Sequence, residues 1–177
     1  GCSAEATRDL LAAGQVRLNE RSAGSVLNND GTPAEVVVSV RAHERRVRVL
    51  MDPAHWEQDP VRRAHIARTT CGEFAASLPG AVRRAFDEAL AGAMPDGVAL
   101  TRWLPSGCLW LGSGIARVGL AVYVSARWGD PISRWPRVFQ WLDGIGIRAH
   151  EWRASVARHG EPASVSLAAG SELRARV

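Results

Sequence analysis

Asp-Pro occurs at 59–60 and again at 130–131, each time after alternating apolar residues and before an apolar stripe at helical spacing. Aspartate accepts the free amide hydrogens at a helix start, and proline suits the first helical position because it has no amide hydrogen to lose. These two pairs therefore fix two strand-to-helix junctions. Before the first, Val36, Val38 and Val40 alternate, and Val47, Val49 and Met51 repeat the alternation after a break at Ala42 to Glu44. That predicts a hairpin with one buried face. Before the second, Val118, Leu120, Val122 and Val124 alternate with Gly119, Ala121, Tyr123 and Ser125, which predicts a strand over 116–126. After them, Val61, Ala64, Ala67, Cys71, Phe74 and Leu78 form one stripe, and Ile132, Trp135, Val138, Phe139 and Leu142 form the other.

The remaining elements fall between these anchors. A helix is predicted over 3–19, with Leu10, Leu11, Ala13 and Val16 on its apolar side, followed by a loop over 20–33. Pro79-Gly80 separates the first striped helix from another over 81–93, whose inward residues are Val82, Phe86, Ala89, Leu90 and Ala93. Strands are predicted at 98–104, 108–111, 147–157 and 163–168, and Leu173, Ala175 and Val177 alternate as an edge would. Gly144 and Gly146 stop the second striped helix. The order is α-β-β-α, then α-β-β-α-β-β. It predicts an α+β fold of two ferredoxin-like (split β-α-β) halves, 1–80 and 81–177, with helices packed on antiparallel sheet.

The length of 177 residues suits one large domain or two small ones in contact. Hydrophobic residues at 46% and charged residues at 23% are ordinary globular composition and exclude disorder. No run of 18 apolar residues is present, which leaves no candidate membrane-spanning stretch. All 22 basic residues are arginine, yet the net charge is only +4 and the arginines are scattered. Arg45, Arg46 and Arg48 form the densest cluster and carry the alternative of a small basic nucleic-acid-associated protein. Nucleic acid is the less favoured partner, because interleaved Asp and Glu read as a solvated surface.

A search for chemistry finds no catalytic residues in the pattern, so the chain is not expected to be an enzyme. His55 and Glu57 lie in a turn where capping explains them, as it explains Asp52 and Asp59. Cys71 and His65 lie on different faces of one helix. Gly112-Ser113-Gly114 reads as a turn between strands. Cys2, Cys71 and Cys108 match no zinc spacing, and no cofactor is expected. Cys71 and Cys108 can form a disulfide in an oxidising compartment, or stay as buried thiols. Gly1-Cys2-Ser3 has the look of a lipoprotein junction, with Cys2 as the lipidated residue. A small-ligand or enzyme domain with a pocket between the halves, using His55 or Cys108, is a second alternative. The surplus of tryptophan, seven residues, marks Trp110, Trp141 and Trp152 as interface residues.

Residues 130–167 read DPISRWPRVFQWLDGIGIRAHEWRASVARHGEPASVSL. A helix with a Phe-x-x-Leu core and Trp141 between is followed by a glycine break, a strand bearing Trp152, a Gly-Glu-Pro turn and an alternating strand. With the elements from residue 81 onward, this resembles the periplasmic ferredoxin-like module of type II secretion assembly-platform proteins of the M type, and of their type IV pilus relatives. The resemblance covers 81–168. It implies a non-catalytic assembly module in the bacterial periplasm or outer envelope, the cytoplasm being the alternative. It also implies a homodimer or an envelope protein partner, with membrane contact only through an anchor or a lipidated Cys2.

Overall fold

A computed structural model describes residues 8–9, 11–12, 15–16, 21–22, 25, 27, 30–41, 44–95, 109–114, 120–148, 156 and 160–176. Its strands are β1 (Ala34–Arg41), β2 (Glu44–Met51), β3 (Leu109–Gly114), β4 (Leu120–Ser125), β5 (Ser164–Ala169) and β6 (Leu173–Arg176). The helices are α1 (Pro60–Ala75) and α2 (Gly80–Ala93), which follow β2, and α3 (Pro131–Gly144), which follows β4.

All six strands form one antiparallel sheet in chain order, β1-β2-β3-β4-β5-β6. This α+β layering agrees with the sequence, but two ferredoxin-like halves are not seen. Such a half interleaves strands through a split β-α-β crossover. Here each described strand pairs with the next one along the chain, and the sheet runs unbroken through both halves. The strand expected at 98–104, and most of the one at 147–157, fall outside the described residues. Ile147 and Arg148 are not in a strand.

The two Asp-Pro junctions form as the sequence predicts. Asp59 Oδ1 accepts from the Arg62 amide at 2.8 Å, and Asp130 Oδ1 accepts from the Ile132 amide at 3.1 Å. At the far end of α3, Gly146 takes φ +80°, where only a residue without Cβ sits at ease. Its amide donates to Asp143 O, and the Ile147 amide donates to Leu142 O, which satisfies the last carbonyls.

One face of the sheet carries the core. Val49 and Met51, Leu109 and Leu111, Val122 and Val124, and Val165 and Leu167 are buried beneath the helices. Helix α1 crosses β3 and β4, α2 crosses β5 and β6, and α3 lies against α2. Helix α1 meets the sheet through small side chains, Ala64, Ala67, Cys71 and Ala75. Val61 and Ile132, expected inward, are exposed, Ile132 at 86%. Val36, Val38 and Val40 share the core face with Val47 and Val49 but are 56%, 59% and 64% exposed. The helix layer among the described residues stops short of β1, so the hairpin buries β2 alone.

Candidate functional site

Because side chains alternate across a pleated strand, the positions between the core residues point to the other face. The register lines them up across the sheet. One row reads Glu35, Leu50, Gly112, Ala121, Ala168 and Arg174 from β1 to β6. A neighbouring row carries Trp110, Tyr123 and Ser166, and on the other side Arg48 stands opposite Val37 and Gly114. This face bears arginine, aromatic and small residues, whereas the core face bears aliphatic ones.

Its centre is a hydrogen bond between strands distant in sequence. Arg48 Nη1 donates to the Tyr123 hydroxyl at 3.3 Å, across β3. The crossing is open because β3 has glycine at the intervening position. A Cβ built on Gly112 would lie 2.8 Å from Leu50 Cδ2, 3.3 Å from Tyr123 Cε2 and 3.6 Å from Ala121 Cβ. All three are residues of the same face, which confirms the side to which position 112 points. Trp110, half-buried, keeps its indole Nε1 without a hydrogen-bond partner among the described residues. Arg174, at the far end of the row, pairs with Glu172.

A second polar cluster lies in the turn between β2 and α1, and it is closed to solvent. The Asp52 carboxylate pairs with the Arg63 guanidinium, and both side chains are 1% exposed. Asp52 Oδ1 also accepts from the Ala54 amide at 3.2 Å. Burial pushes the Asp52 carboxyl above its ordinary pKa, while Arg63 pulls in the opposite direction. His55 is 3% exposed, meets Trp56 edge-on at 5.0 Å, and neither ring nitrogen has a hydrogen-bond partner among the described residues. Glu57 accepts from the Gln58 and Asp59 amides, the capping role that its place in the turn predicts.

The sequence-marked residues scatter. Trp110 lies on the face opposite the helices. Trp141 is buried in α3, its Nε1 donating to Ala89 O at 2.7 Å, although helical spacing places it off the main stripe. Cys71 is a buried thiol pushed up to about 12 by burial. Cys2, Cys108 and Trp152 lie outside the described residues. Of the arginine cluster, Arg48 is on that same face, and the side chains of Arg45 and Arg46 are outside the description. Sequence reading missed Tyr123 as a site residue, although it is the one tyrosine of the chain. A groove of about 590 Å³ lies on the helix side, between α2 and α3, lined by Glu88, Gly92, Gln140, Trp141 and Leu173. Among the described residues no group of three or more His, Cys, Asp or Glu could hold a metal ion, and no helix is long and apolar enough to cross a membrane.

No protein-family model matches the chain, and no curated protein matches it in sequence. Solved structures do. The 5-dimethylallyltryptophan synthase from Streptomyces coelicolor superimposes with a TM-score of 0.75 at 21% identity, over 99% of this chain and 52% of that one. The same enzyme in complex with DMASPP and Trp gives 0.73 at 22% identity, over 99% and 50%. The prenyltransferase PriB, in a ternary complex with L-tryptophan and dimethylallyl thiolodiphosphate, gives 0.67 at 15% identity, over 94% and 48%.

These likenesses correct the sequence reading. The fold is similar to that of prenyltransferases and not to the ferredoxin-like module of secretion or pilus assembly platforms. The expectations of a non-catalytic scaffold and of a secretion-system component, drawn from that resemblance, fall with it; the lipoprotein reading of Gly1-Cys2-Ser3 and the expectation, drawn from the search for catalytic residues, that the chain is no enzyme are overturned by the same likenesses. The motif misled because Phe139 and Leu142 fill positions that any helix packed on a sheet keeps apolar, and Ile147 only closes the end of that helix. This chain spans about half the length of the structures it matches. What it shares with them is the fold of that half.

Proposed function

We propose that the face of the sheet opposite the helices is part of the binding surface of an aromatic prenyltransferase, which takes an allylic diphosphate and an indole such as tryptophan. The observation that carries this reading is the Arg48–Tyr123 pair beside Trp110, on the face opposite the helices. The named ligands of the similar structures, tryptophan and a dimethylallyl thiolodiphosphate, need two kinds of neighbour. A diphosphate needs cationic donors, and arginine offers a planar fork that matches two phosphate oxygens. An allylic chain needs apolar and aromatic walls, and an aromatic face attracts the positive charge that develops as the carbon–oxygen bond to diphosphate breaks.

In this arrangement Arg48 holds the leaving diphosphate, with the Tyr123 hydroxyl as its neighbour. Leu50, Trp110 and the Tyr123 ring contact the prenyl chain. Glu35 supplies a carboxylate at the end of the same row, able to accept an indole N–H. The reaction balances as prenyl diphosphate plus tryptophan giving prenyl-tryptophan, diphosphate and one proton: the allylic C–O bond breaks, a carbon–carbon bond to the ring forms, and the ring carbon loses its hydrogen.

Titration calorimetry with inorganic pyrophosphate and with dimethylallyl S-thiolodiphosphate tests the reading. Both are expected to bind the chain, more weakly at higher salt. Arg48→Ala is expected to weaken both by about 2 kcal/mol, the worth of hydrogen bonds to a charged group, with an unchanged thermal unfolding midpoint. Absence of binding to the wild-type chain, or equal binding by Arg48→Ala, refutes the proposal.

A further inference from the structure

The Tyr123 ring and the Leu50 side chain close over the β3 backbone at Gly112. A Cβ there would stand 2.8 Å from Leu50 Cδ2, nearer than real Cβ contacts come, and 3.3 Å from the tyrosine ring, where the ring must give by a few tenths of an ångström. With the sheet behind it, the leucine δ-methyl must move off the β3 backbone, along the face or out from it. The missing side chain at 112 therefore sets how deep Leu50 sits, and the depth of Leu50 sets the room left beside Arg48 and Tyr123.

From this we infer that Leu50 and Gly112 together determine how long a prenyl chain the face admits. The inference rests on this face being the prenyl-diphosphate site, and it goes beyond that reading by assigning selectivity to a pair that carries no charge and touches no phosphate. Gly112 is a positioning residue acting through Leu50, and Leu50 is the wall. A methyl added at 112 raises the floor. Removing the leucine isobutyl group lowers it. Neither change removes the arginine that takes the phosphates, so the larger effect appears in the chain and not in the head group.

The test compares three ligands by calorimetry: inorganic pyrophosphate, dimethylallyl S-thiolodiphosphate and geranyl S-thiolodiphosphate, which is longer by one isoprene unit. Leu50→Ala is expected to raise the geranyl-to-dimethylallyl affinity ratio by roughly tenfold, the scale on which hydrophobic pockets distinguish chain size, with pyrophosphate affinity unchanged. Gly112→Ala is expected to lower the ratio by a similar factor, and the double variant to return towards the wild-type ratio, because the added methyl then meets no leucine. Since Tyr123 is the one tyrosine, 3-fluorotyrosine gives one fluorine resonance that reports whether each variant keeps the site folded. If Gly112→Ala does not fold, Leu50→Ala and Leu50→Val carry the comparison. A wild-type chain that binds none of the three ligands ends the functional reading and this inference together. Wild-type binding of pyrophosphate, with ratios that do not move or with all three affinities falling in step, leaves the functional reading standing and overturns the assignment of Leu50 and Gly112.

Discussion

Arg63 and Asp52 show how much a single buried pair can hold. Each is almost fully enclosed, and each is the other's counter-charge. Removing one partner leaves a charge without water and without compensation, which costs more than the intact pair contributes. Arg63→Ala is expected to destabilise the fold by about 3–5 kcal/mol at neutral pH, measured by urea denaturation. The pH dependence follows from Asp52. Burial already raises its pKa against the pull of Arg63, and without Arg63 burial acts unopposed. A folded-state carboxyl above its unfolded value binds a proton that the unfolded chain gives up. The stability tied to that proton is present below the unfolded value, near pH 4, and is lost as pH rises through the folded one. The deficit of Arg63→Ala should therefore shrink as pH falls towards 4. A deficit that stays constant with pH would refute the account.

The helices gain their positions from devices of one or two residues. Asp59→Ala and Asp130→Ala each remove an N-cap acceptor and are expected to cost about 1 kcal/mol apiece, read as shifts in the unfolding midpoint at constant denaturant slope. The caps were legible in the sequence because their chemistry is local. So were the stripe of α2, through Phe86, Ala89, Leu90 and Ala93, and the alternation of β4. What was not legible depends on neighbours. Trp141 looked peripheral on one helix face, but α3 packs sideways against α2, so a second side of α3 is buried and its indole finds Ala89 O. Val36, Val38 and Val40 looked like core because alternation reports a face, and says nothing of whether a helix covers it. The candidate site was least legible. Arg48, Trp110 and Tyr123 come from three strands, and only their register brings them to one face.

At the scale of the molecule, the sheet has a sheltered middle and, among the described residues, one margin, β1, that no helix crosses. Strand β4 has a partner on each side and helix α1 behind it, whereas β1 has one partner and no cover. Protection should follow this gradient. Amide hydrogen exchange is expected to be slowest at Val122 and Val124 and faster at Val36 and Val38, by at least tenfold. Equal exchange rates would mean that something shelters β1 as well as it shelters β4. The same sequential order of strands has a bearing on synthesis. Among the described residues each ladder joins a strand to the one before it, with helices in the two longer intervals, so no described strand waits for a mate beyond the next. A ribosome emitting this chain could lay the sheet down strand by strand, and the β hairpin that carries Arg48 would be waiting when the strand bearing Tyr123 emerged.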